Sequence, residues 1–248
     1  GYGKKEIAQN MGEIVRDFAR IPVQLTPKVK VGVVGEIYVK YSKLGNNDLE
    51  GLLRREDCEV MIPGVLNFAM YCIENNITDV ELYGGSPIKA MVAKKIMDYL
   101  CGIEKAMIDA VSQEPRFQAP SPFYHTKELS RGLIGSGCKM GEGWLLTAEM
   151  AELIDAGFQN IICTQPFGCL PNHIVGKGMI RKLKEIYPDS NIVPIDYDPS
   201  ATSVNQENRI KLMLAIAREN LEKKTTPLAY PPKKQEPVSH AASSSSSC

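Results

Sequence analysis

The chain has 248 residues, 44% hydrophobic and 23% charged, with a formal net charge of zero. That suffices for one large or two small globular domains with a sizeable core. The neutral balance excludes nucleic acid as the main partner, and no apolar run approaches the ~20 residues of a membrane span.

Residues 1–20 read as a helix. Ile7, Met11, Ile14, Val15 and Phe18 fall at helical spacing, and Pro22 ends the run. The chain begins at Gly1 without a methionine or signal peptide, and is expected to be a piece of a longer protein. The helix is expected to pack across a sheet, with residues 1–28 serving as helix and linker. Residues 29–35 (VKVGVVG) form the clearest strand, apolar and β-branched like a central parallel strand. Glu36, Lys40 and Asn46 follow its carboxyl end. Two readings stand there: ligand contact or a solvated loop. Neither a dinucleotide-binding glycine pattern nor a Walker A sequence is present.

A short helix over 48–55, capped near Asn46 or Asn47, leads to a second strand over 58–62. Pro63-Gly64 ends that strand, and a helix over 65–74 turns Leu66, Met70 and Ile73 inward. Cys58 and Cys72 read as packing residues. A further strand is possible over 79–83. A long helical pattern covers 87–111, and prolines 115, 120 and 122 then break regular structure. This stretch, about 84–132, reads as a helical insertion, and its lone His125 as a surface or capping residue. The glycines of 135–143 precede a helix over 145–156 that Trp144 is expected to anchor. Cys138, among those glycines, is a weak third thiol for a site.

Residues 159–163 read as a buried strand, followed by a loop held by Pro166 and Pro171 and turned at Gly168. A helix over 174–187 comes next. The loop concentrates Cys163, Gln165, Cys169, Asn172 and His173. Thiolates suit iron–sulfur clusters and zinc, and a stiff loop lowers the cost of ordering them. Cys163, ending a strand, reads equally well as a small core residue, whereas Cys169 in the loop does not. A nucleophilic role for either thiol is weaker, because no acid to orient His173 is evident. A last strand over 191–196 carries Asp196 and Asp198 to its carboxyl end. The final helix opens at 205–209 and buries Ile210, Leu212, Met213, Leu214 and Ile216. Beyond 222 the prolines and the serine run 243–247 read as a disordered tail ending in Cys248.

Strand–helix alternation makes the chain α/β: a doubly wound, mainly parallel sheet of flavodoxin or Rossmann type over 29–222, with a helical insertion. Ligands then bind beyond the carboxyl strand ends, and Glu36, Cys169, His173 and Asp198 are expected around one crevice. Seven scattered cysteines suit a reducing cytoplasm.

Residues 31–40 (VGVVGEIYVK), 143–150 (GWLLTAEM), 163–174 (CTQPFGCLPNHI) and 195–198 (IDYD) resemble the C-terminal part of acyl-CoA dehydratase activase-related proteins, which are similar to 2-hydroxyacyl-CoA dehydratases and their ATP-dependent activators. The resemblance runs over roughly 29–217. It implies a cluster-binding part of an ATP-dependent, low-potential electron-transfer system, carrying a 4Fe-4S cluster that is incomplete or absent in this piece alone. Cys169, Cys163 and Cys138 become cluster-ligand candidates, and Glu36, Lys40, His173 and Asp198 cofactor-contact candidates. The implied partners are upstream ATPase and cluster domains and an acyl-CoA-like substrate. The pattern departs from the dehydratases after the second strand, where Pro63-Gly64 stands in place of a ligand cysteine. The other reading is a non-catalytic α/β docking module.

Overall fold

The computed structural model describes residues 3–200 and 202–225. Four parallel strands form one sheet in the order β2-β1-β3-β4: β1 (Val29–Gly35), β2 (Cys58–Met61), β3 (Asn160–Pro166) and β4 (Asn191–Tyr197). The chain first steps from β1 to β2 and later returns to the far side of β1 with β3. The strand order therefore reverses between β1 and β3, whose carboxyl ends frame the switch point of the sheet.

Between β1 and β2 lie α1's successors in the chain: after α1 (Lys4–Ala19) come α2 (Ile37–Tyr41) and α3 (Leu49–Arg55). The long connection from β2 to β3 carries α4 (Val65–Tyr83), α5 (Pro87–Val111), α6 (Phe123–Leu129) and α7 (Gly143–Asp155). After β3 come α8 (Leu170–Val175), a single 3-10 turn and α9 (Ile180–Ile186), and α10 (Ser203–Thr225) follows β4.

Leu49, Leu52 and Leu53 of α3 and Ile210, Met213 and Leu214 of α10 bury one face of the sheet. The other face is covered by Leu146, Met150 and Leu153 of α7 and Leu183 of α9. Helices on opposite faces are what right-handed crossovers in both directions from β1 require. A third apolar cluster lies outside α7, where Met70, Tyr71, Met97 and Phe123 close over Trp144, Leu145 and Ala148. Helix α7 is thus sandwiched, and eleven of its thirteen residues are buried. Its sequence is mostly apolar for that reason, with Glu149 a buried exception. Trp144 anchors it as expected, edge-on to Tyr71.

Several boundaries differ from the sequence reading. The stretch 79–83 is the last turn of α4, since the helix begun at Val65 runs unbroken to Tyr83. Helix α1 lies against α5, with Lys4 beside Gly102, and none of its residues is buried. Strand β3 continues through Gln165 to Pro166, because the ladder to β4 extends to Tyr197. Pro194 is tolerated because β4 is an edge strand. The helix expected over 174–187 is split into α8, the 3-10 turn and α9. Leu212 and Ile216 are exposed, as they fall on the face of α10 opposite Ile210, Met213 and Leu214. Cys72 is exposed on α4. Helix α10 runs on to Thr225. The expected disordered tail from 226 onward, with Cys248, lies outside the described residues.

Candidate functional site at the switch point

Where β1 leaves the sheet, Gly35 pairs with Thr164 of β3. A Cβ on Gly35 would collide with the Thr164 carbonyl, and its φ is +143°. Only glycine allows this approach. The Glu36 amide then donates to Thr164 O (3.0 Å), and Thr164 Oγ1 donates to Val34 O (3.0 Å). Glu36 caps α2, accepting the Val39 amide at 2.8 Å.

Glu142, immediately before α7, is buried and reaches both neighbouring loops. Its Oε1 accepts the Ile37 amide (3.0 Å) and its Oε2 accepts Asn172 Nδ2 (2.9 Å). The same Asn172 Nδ2 donates to Cys169 Sγ at 3.1 Å. Asn172 is 0% exposed, and its Oδ1 has no partner. Cys169 precedes α8 on the turn through Gly168 (φ +78°) and is half-buried. Pro171 packs against Gly141, so the 138–143 loop lies beside the Cys169 loop. Gly143, at φ +48°, leaves room for Tyr71 Oη and Cys138 O, which a Cβ would strike. Cys138 is exposed. Burial first, then Cys72, Glu142 and Cys138, hold the Tyr71 hydroxyl up at about 12. Glu142 thus reaches the Cys169 sulfur through Asn172.

His173 and Asp196 meet through Gln165. Gln165 Nε2 donates to Asp196 Oδ1 (2.5 Å) and lies 2.8 Å from His173 Nδ1. With the amide nitrogen facing both, Nδ1 is placed to accept from it in the tautomer that carries its proton on Nε2. Lys177 Nζ stands 3.7 Å from Asp196 Oδ2. Asp198 is turned elsewhere: it accepts the Ser200 amide and hydroxyl, which lower its carboxyl below the ordinary range. Asp196, not Asp198, is the carboxylate in this group.

Lys40 is 4% exposed and pairs with Glu149 Oε2 of α7, itself 2% exposed, at 3.2 Å. Burial works against the Lys40 charge, but Glu149 and Tyr41 more than offset it, so the ammonium is held above its ordinary range. A cavity of about 80 Å³ lies beside Lys40, Tyr41 and Asn46. Asn46 caps α3, its Oδ1 accepting the Leu49 amide at 3.1 Å. The larger clefts of about 430, 400 and 370 Å³ lie on the helical layer and at the amino end of the sheet, away from Cys169.

Cys163 is 0% exposed beneath Gly176. Burial foremost, then the negative field of Asp196, Glu142 and Glu149, pushes its thiol up to about 12. It is a neutral core residue. Cys169 and Cys138 are the exposed or half-buried thiols of the loops. No group of three or more His, Cys, Asp or Glu side chains arranged to hold a metal ion occurs among the described residues.

The sequence reading missed Glu142 and Glu149. Glu149 carried a signal, a carboxylate (with Glu152) inside the largely apolar run 143–154. Glu142 carried none, lying in a glycine-rich loop where charge is ordinary. Among the described residues no helix is long and apolar enough to cross a membrane. Comparison with protein-family models, curated proteins and solved structures finds no match to this chain.

Proposed function

We propose that the chain is the α/β portion of an iron–sulfur, low-potential electron-transfer system of the kind its motifs resemble, in which Cys169 supplies one cluster ligand. The observation that carries this is the Cys169 sulfur at the sheet's switch point, half-buried and receiving an N–H from the fully buried Asn172. Hydrogen bonds to ligand sulfurs and limited solvent exposure are the means by which proteins tune such clusters. The other thiolates, and the ATP-hydrolysing module that drives the electron, come from upstream domains or a partner chain. The free cysteines among the described residues suit a reducing cytoplasm.

Anaerobic reconstitution with ferrous iron and sulfide, carried out on this chain assembled with the domains that supply the other thiolates, tests the proposal. Iron retention with absorbance at about 400 nm is expected for the parent and for Cys163→Ala, and its loss for Cys169→Ala. Equal retention in Cys169→Ala, or none in the parent, would overturn it.

A second reading, a docking module without a cluster, draws on the rim of the same loops. Met140, Phe167, Leu170 and Ile174 are all exposed, and exposed apolar clusters mark contact surfaces. Assembly with a partner domain that persists in iron-free protein, alongside no iron uptake, favours that reading.

A further inference from the structure

We propose that Glu142 is a positioning residue for the Cys169 sulfur, acting through Asn172; this rests on the reading of Cys169 as a ligand. A carboxylate placed directly against a thiolate would repel it. Here an amide stands between them. Asn172 Nδ2 donates one hydrogen to Glu142 Oε2 (2.9 Å) and the other to Cys169 Sγ (3.1 Å). The side chain thereby converts an acceptor into a donor aimed at sulfur.

The orientation of that amide is set by Glu142. Turning it over would place Oδ1 against both the carboxylate and the sulfur. The present orientation leaves Oδ1 buried with no partner, which is costly. The Glu142 carboxylate offsets that cost, because hydrogen bonds to charged groups are the stronger ones. Glu142 is in turn fixed by the Ile37 amide at the head of α2. The end of β1, the start of α7 and the loop after β3 are so joined at one carboxylate. Its field reaches further, raising the thiols of Cys72 and Cys163 as a secondary contribution beside their burial.

A purely structural role for Glu142 would hold α2 to α8 without bearing on the sulfur. Alkylation separates the two. Rates at Cys169 are measured on the folded, cluster-free protein with neutral iodoacetamide and anionic iodoacetate, mapped by mass spectrometry, with exposed Cys138 as the internal reference. Asn172→Leu is expected to slow Cys169 by about tenfold with both reagents, as befits loss of a hydrogen bond to a charged acceptor. Glu142→Gln is expected to slow iodoacetamide about threefold and to raise the iodoacetate-to-iodoacetamide ratio at least about twofold, since a nearby negative charge is gone. Cys138 should stay within a factor of about two with iodoacetamide, as a residue without this relay. If circular dichroism shows Asn172→Leu unfolded, Asn172→Ala decides in its place. Cys169 rates unchanged in both variants, an unchanged reagent ratio in Glu142→Gln, or Cys138 slowing in parallel would overturn the proposal. Failure of cluster reconstitution with this pattern intact overturns the ligand reading alone. A cluster that forms while the alkylation pattern is flat overturns the positioning role alone.

Discussion

Two cysteines six positions apart have opposite chemistry because the backbone turns between them. Cys163 lies inside the sheet and its thiol is held up to about 12 by burial. Cys169 stands at the loop with an N–H on its sulfur. Native-state alkylation should therefore modify Cys169 well before Cys163, which should react only on unfolding. Faster labelling of Cys163 would contradict the burial. A pH dependence follows too. The ordinary thiol value of 9.0 applies once the chain unfolds, and the folded value is about 12. Below 9 both states hold the proton. Between these values the unfolded chain releases it and the folded chain does not, so stability is lost as pH rises through this window. Cys163→Ala should show a shallower decline than the parent in urea-unfolding free energy between pH 9 and 11. Equal slopes would assign the decline to other groups, the buried Tyr197 hydroxyl among them.

At the scale of elements, α2 is five residues long and cannot persist by its own hydrogen bonds. It is held by its ties to α7: the Ile37 amide on Glu142 and Lys40 on Glu149. Lys40→Met leaves a buried carboxylate unpaired and should cost about 3–5 kcal/mol, measured by urea unfolding at pH 7. The double variant Lys40→Met/Glu149→Leu should recover most of that loss, because two apolar side chains need no partner. Helix α1 is the contrary case. It has an apolar stripe yet no buried residue, and it touches the sheet domain through α5. Removing residues 1–22 should leave the parallel sheet folded, with unchanged Cys169 reactivity and a modestly lower thermal midpoint. Collapse of the fold on that truncation would show that α1 covers more than its exposure indicates.

For the whole molecule, the decisive place is the seam between β1 and β3, where the strand order reverses. Gly35 allows β1 to leave the sheet against the Thr164 carbonyl. Gly35→Ala brings both a steric collision and an unfavourable φ. It should destabilise by about 3 kcal/mol or more in chemical denaturation, and expose Cys163 to alkylation as the seam opens. Gly64→Ala, where a Cβ meets nothing within 4 Å, is the control and should be nearly neutral.

The α/β class, the four main strands and Cys169 as the loop thiol were legible in the residues themselves. β-branched runs alternating with 3.6-residue patterns leave few architectures open, and glycine with proline marks a loop wherever it falls. Local pattern did not tell a strand from a helix end at 79–83, where a short apolar run suits either. Nor did it tell which of Asp196 and Asp198 joins His173: two apart, they would share a strand face, but β4 ends at Tyr197 and Asp198 turns to Ser200 instead. The partners of Lys40 and of Asn172 lie 109 and 30 residues away. Such pairings are set only when α7 is pressed between the sheet and the helical layer, forcing Glu149 within it and Glu142 just before it to find a buried lysine, a backbone amide and a carboxamide. The sequence by itself determined the layers and placed a thiol beyond the sheet. The tertiary structure alone decided what that thiol faces, because the cost of burying a charge is met by whichever group the fold brings to it.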